Sequence, residues 1–389
     1  MSRLQFGIIG SVATETRFED RPESMLHDGL AQDVLLDLAS GPATEEELRR
    51  RHPDLGDRLE RMRHLSIIRV EDGRVHVGFT LLTNLDARMV LAVAERAAST
   101  LGATIMGHRP EIEAALAAYP LPHVPRNSLA FMLIGFHFLD IGCLKLLSDA
   151  GYRTTARDMP GGNRYTLWAQ ETGLDVPLKE LYWGGHTEAA GEHVWNTFGD
   201  HAPRPQGRRA LPDLVWQAEM AIDPAALRLA VHEHLLSLLT GLAQTLTAIG
   251  PSGVDPGGVT APAGPGHGDI LTELGYLANV GGRLHVTAPV FTAAETPLRD
   301  RVFELLSPVV LNWFAENHRS LEEDLADITP LRHGVPFAEV MTQLWHYIFG
   351  LTNRALVRAG LFADPYALPP DCQGFLAGLY PAAWDDLLP

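Results

Sequence analysis

The segment LAQDVLLDLAS (30–40) sets its apolar residues at the three-to-four spacing of a helix that buries one face, and Gly41-Pro42 ends it. In the ATEEELRRRH that follows, Thr44 stands where an N-cap belongs and Glu47 completes a capping-box spacing, so a second helix is expected. DLGDRLERMRHLSII brings Leu55, Leu59, Met62 and Leu65 onto one side of a third. The period then shortens to that of a strand. IIRVEDGRVHVGF alternates apolar and polar positions around Asp72-Gly73, a strong hairpin signal. The pattern predicts three short helices followed by a two-stranded hairpin.

The same pattern returns 209 positions later. At that offset Leu65 falls on Leu274, Gly73 on Gly282, Arg74 on Arg283, His76 on His285, Val77 on Val286 and Thr83 on Thr292, without a gap. FHFLDIGCLKLLSDAGY (136–152) likewise falls on WHYIFGLTNRALVRAGL (345–361), matching His137 with His346 and Ala150-Gly151 with Ala359-Gly360. One offset held from hairpin to helix implies an internal duplication. Histidines present in both copies point to a structural duty, such as an imidazole bonded to backbone. In the second copy the Gly- and Pro-rich PSGVDPGGVTAPAGPGHG (251–268) stands in place of the central helix.

Three helices and a hairpin over residues 28–83 resemble the winged helix-turn-helix superfamily of bacterial DNA-binding proteins, with an altered echo near 232–292. The resemblance implies that the third helix enters the major groove while the preceding helix and the wing touch phosphates. Arg58, Arg61 and Arg63 then become the base-side candidates and Arg74 the wing's phosphate contact. The expected fold class is helix-rich α+β: two pseudo-repeated winged-helix-like units with an inserted small β-containing segment. The boundaries are an N-terminal arm (1–27), the first unit with its following helices (28–152), an aromatic and histidine-rich insert (153–231), and a second, degenerate unit with its helices (232–389). The same frame also serves dimerisation and peptide binding. Across 44–74 the eight arginines are balanced by eight acidic residues, so charge does not choose between these uses.

The insert is where the two copies differ most. NRYTLWAQE (163–171) and LKELYWGGHTE (178–188) read as two strands on either side of a turn at Gly173. Trp168, Trp183, Trp195 and Trp216, four of the seven tryptophans, fall here and predict either a packed core or the aromatic wall of a ligand pocket. His186, Asp200, His201 and Arg208 are the polar groups that would orient such a ligand. His186, Glu188, Asp200 and His201 are also the acid–base candidates if the segment is catalytic, since a neighbouring carboxylate moves a histidine's titration. His186, His193 and His201 carry the ligand chemistry for one zinc ion, the single cofactor considered, although their spacing matches no compact zinc motif.

Bulk composition narrows the classes. A formal net charge of −17 excludes a protein that grips nucleic acid over its whole surface, while leaving a local basic face open. Two cysteines, Cys143 and Cys372, cannot build a disulfide framework or a four-cysteine zinc site. The N-terminal stretch lacks the apolar core of an export signal, and no stretch reads as a membrane span, so a cytoplasmic protein with no membrane partner is expected. Three readings follow. The first is a DNA-binding transcriptional regulator that senses a small molecule through 153–231. The second is an enzyme of metal-assisted hydrolase or nucleic-acid repair type using the insert's His/Asp cluster. The third is a protein-binding module, including one that forms a homodimer.

Overall fold

Strand β1 (Leu4–Ser11) opens the chain, and three short helices follow a single turn, α1 (Glu23–Leu26). Helix α2 (Gly29–Leu38) starts at Asp28, whose carboxylate accepts from the N–H groups of Leu30 and Ala31. At α3 (Glu45–Arg51) both halves of the expected capping box form, Thr44 N–H to Glu47 at 2.8 Å and Glu47 N–H to the Thr44 hydroxyl at 3.2 Å. Helix α4 (Arg58–His64) completes the set. Seven to ten residues are too few for a helix to persist alone in water. These hold because Leu35, Leu38, Leu48, Leu55, Leu59 and Met62 are buried in one cluster. Strands β2 (Ile68–Glu71) and β3 (Arg74–Val77) pair across Asp72-Gly73, both at positive φ (49° and 74°), as a two-residue hairpin turn requires. Val75 also exchanges two backbone hydrogen bonds with Ala43, which adds a short third strand from between α2 and α3.

The computed structural model describes residues 3–11, 21–154, 157–159, 163–173, 185–199, 225–259, 266–364 and 375–387. After β4 (Thr80–Leu82) come α5 (Asn84–Met106), α6 (Arg109–Leu116) and α7 (Arg126–Asp149), then β5 (Arg157–Met159) and β6 (Asn163–Glu171). Within α7, Phe131–Gly142 winds as a π-helix, and its side chains are almost all buried. Strands β7 (Gly185–Ala190) and β8 (His193–Gly199) form a hairpin. The second half has α8 (Ala225–Ala248), a three-residue 3-10 turn at Pro256–Gly258, α9 (His267–Glu273), and the hairpin β9 (Leu277–Val280) and β10 (Arg283–Val286). It continues with α10 (Thr296–Asp324), α11 (Thr329–Arg332), α12 (Phe337–Arg358) and β11 (Phe375–Pro381). The molecule is helix-rich α+β, as expected.

The described strands of 153–231 divide between two sheets. Strand β6 lies in the first sheet, antiparallel to β1 and β5 and parallel to β4, whereas β7 and β8 join β11 in another sheet. The expected N-terminal arm likewise supplies β1 to the first sheet and packs α1 against α4. Local alternation predicts that a strand exists, but partners such as β1 for β6 and β11 for β8 stand more than 150 residues away.

Many local details recur at the 209-residue spacing. Positive φ is found at Ser66 and Gly275, Asp72 and Gly281, Gly73 and Gly282, and Gly151 and Gly360. The Ile67 N–H donates to the Met62 carbonyl at 2.8 Å, as the Tyr276 N–H does to Leu271 at 2.8 Å. Val254 and Leu284 exchange the two bonds that Ala43 and Val75 exchange in the first half, Val254 standing two residues beyond that spacing. Thr83 with Asp86, and Thr292 with Glu295, make capping boxes ahead of α5 and α10.

The long helices cross between halves. Helix α5 packs along α12, and α10 packs against α7. By length and mean hydropathy α5 and α7 could each cross a bilayer, contrary to the sequence expectation; 83% of the apolar window of α7 is buried inside the protein. Helix α5 also carries Glu95 and Arg96, paired with Arg354 and Asp324 of the second half. The connections cross too. In the α11 turn, His333 accepts from the Val77 N–H at Nδ1 (3.2 Å), and its Nε2 lies 2.8 Å from the Leu38 carbonyl, so the proton resides on Nε2. Arg332 adds a bond to the Ala39 carbonyl. In the opposite direction, Tyr119 of the first half donates to the Val290 carbonyl and accepts from the Val290 N–H. His123 packs on His285 as His333 packs on His76.

Candidate nucleic-acid interface

The predicted DNA-contacting residues all lie on the first three-helix-and-hairpin unit, but three of the four are already bonded within the chain. Arg58, at the start of α4, reaches Asp28 at 2.9 Å and the Asp54 carbonyl at 3.2 Å. Burial works to raise the Asp28 pKa, yet the Ala31 N–H, the Arg58 guanidinium and the Leu30 N–H outweigh it and hold the carboxyl below its usual range. Arg61 is half-buried, with Nη2 3.4 Å from the Ser24 hydroxyl. Arg74 donates to the Pro42 carbonyl at 2.9 Å and so ties the hairpin to the segment that leads into α3. Arg283, 209 positions on, does the same with the carbonyls of Ser252 and Gly253, which marks this arginine as a brace in both hairpins. Arg49 pairs with Glu45, Arg51 with Asp37 and Arg69 with Glu71. Among the described residues, Arg50 and Arg63 are the arginines of this stretch that project into solvent without a partner.

The insert's described candidates lie on two different sheets. Trp195 is fully buried, donates from Nε1 to the Leu239 carbonyl at 3.1 Å and meets the Tyr276 ring edge-on, so it is core. Trp168 is half-buried on β6 opposite Gly7, where a Cβ would lie 2.4 Å from the indole Nε1. His186 and Glu188 sit on β7. In the hairpin register His186 pairs with Thr197 and His193 with Ala190. Those two pairs are four rungs apart, about 13 Å at strand rise. The described residues hold no group of three or more metal-ligating side chains. Trp183, Asp200, His201, Arg208 and Trp216 lie outside the described residues.

Two features were not expected from the sequence. An open groove of about 740 Å³ runs along α8, lined by His234, Ser237, Leu238, Gln244 and His267 among others. Gly241 permits it, since a Cβ there would lie 2.5 Å from Cε1 of His267, whose Nδ1 rests 3.2 Å from the Thr245 hydroxyl. The second feature is His137 on the π-helical stretch. Its ring is packed edge-on against Tyr380 and Trp384, neither ring nitrogen has a hydrogen-bond partner, and burial pushes its pKa down to about 3. Asp140, one turn on, is pushed up by burial to about 7. Of the histidines expected to bond backbone, His346 does so, to the Thr342 carbonyl at 2.7 Å.

No family model, curated protein or solved structure matches this chain.

Proposed function

We propose that the chain is a DNA-binding regulator built on a duplicated winged-helix unit, with α4 and the β2–β3 wing of the first unit as its nucleic-acid face. The observation that carries this reading is the element order, helix, short strand, helix, helix and hairpin, with Arg63 on α4 and Arg50 on α3 exposed and unpaired. Duplication is supported by the hydrogen bonds and positive-φ positions that recur at one spacing. An effector would bind the groove on α8, where apolar Leu238 lies beside His234, Ser237 and Gln244, the mixture of walls and orienting groups that small-molecule sites use.

The second reading, a protein-binding module, is favoured by a different observation. Six of the eight arginines between 44 and 74 are already bonded within the chain, and the net charge is −17. Fluorescence anisotropy of a labelled duplex, titrated with the full chain across a salt series, separates the two. Under the DNA reading the affinity falls steeply with salt, and Arg50→Ala flattens the log–log slope by about 0.9 for the phosphate contact it removes. No binding at low salt sinks it.

A further inference from the structure

We infer that one chain reads one DNA half-site through its first unit alone, and that the second unit makes no base contact. This rests on the DNA reading above and deepens it by naming the unit that reads. A chain with two winged-helix-like units on one bundle resembles a dimer, and two reading heads would call for two half-sites related by symmetry. The second head lacks the chemistry. At the 209-residue spacing Arg63, the exposed and unpaired cation of α4, is replaced by Thr272.

His267 is 8% exposed and turned to Thr245, so the position that opens the reading helix faces inward. The exposed charges left on α9 are Asp269 and Glu273, which repel phosphate. Ahead of it, the described residues 251–259 hold the three-residue turn Pro256–Gly258. Arg283, the cation of the second hairpin, is held by Asp255 and by the Ser252 and Gly253 carbonyls. The second unit instead supports the first: its α11 turn bonds the ends of α2 and β3 through Arg332 and His333.

The test is selection of bound duplexes from a random-sequence pool by the full-length chain, followed by sedimentation of the protein with the enriched duplex. The expected result is one half-site of about one helical turn for each chain bound, whether half-sites are enriched singly or in pairs. Arg63→Glu should weaken binding at least tenfold, and Thr272→Glu, at the matching position of the second unit, should leave affinity within twofold. Two half-sites occupied by a single chain, or an equal loss in Thr272→Glu, overturns this inference while leaving DNA binding intact. A pool that shows no enrichment at low salt removes the DNA reading itself, and this inference with it.

Discussion

Replacing His333 with alanine tests how the two halves are joined. The imidazole is 1% exposed and sits between two backbone groups of the first unit. Its Nδ1 is the acceptor for the Val77 N–H, and its Nε2–H donates to the Leu38 carbonyl. Leu38 keeps a second donor, the Gly41 N–H at 2.8 Å, so that carbonyl stays satisfied in the variant. The Val77 N–H faces away from the β2 ladder and is left buried without an acceptor, which costs about 1–3 kcal/mol. Loss of the ring's packing against His76 adds roughly another 1 kcal/mol. His333→Ala should therefore destabilise the hairpin by about 2–4 kcal/mol, read as a 30- to 1,000-fold loss of hydrogen-exchange protection in peptides covering 68–82.

The pH dependence of the same variant is an internal control. Burial, the first of several causes, lowers the His333 pKa from 6.5 to about 4. The folded state thus binds fewer protons than the unfolded chain between those values. The stabilising contribution is complete above pH 6.5 and is lost as pH falls toward 4. The gap between wild type and His333→Ala should narrow over that window. Equal protection in the two proteins at pH 7.5, or a gap unchanged down to pH 4, refutes the reasoning.

Three further outcomes are expected. Thr83→Ala and Thr292→Ala each remove a capping box ahead of a long helix and should each cost about 1 kcal/mol in urea unfolding, with the two values alike. Gly241→Ala places a methyl against the His267 ring and should destabilise by about 1–3 kcal/mol, whereas Gly250→Ala, with open space around it, should be close to neutral. Arg74→Ala should lower stability by loosening the hairpin from Pro42 while leaving the salt slope of DNA binding unchanged, the reverse of Arg50→Ala.

What the sequence makes legible here is local. The Thr44 capping box, the Asp72-Gly73 turn and the 209-residue spacing are all visible, because each depends on residues a few positions apart or on a direct self-comparison. The partners of the arginines are not. Arg58 meets Asp28 from thirty residues away, and no pattern within α4 announces it. Trp195 reads as a pocket residue because aromatic richness marks cores and pockets alike; its burial follows from β8 lying under α8, a tertiary fact. The π-helical stretch FMLIGFHFLDIG is invisible for another reason, since a run that is apolar on nearly every side shows no period to measure.

The crossed connections bear on how the polypeptide can be divided. Tyr119 fastens the Val290 backbone that follows the second hairpin and His333 fastens the first hairpin, so each half carries a part that ties down the other. Severing the backbone between residues 173 and 185 would yield neither a free head nor a free tail, but two fragments whose ordered state is a bimolecular complex that falls apart on dilution.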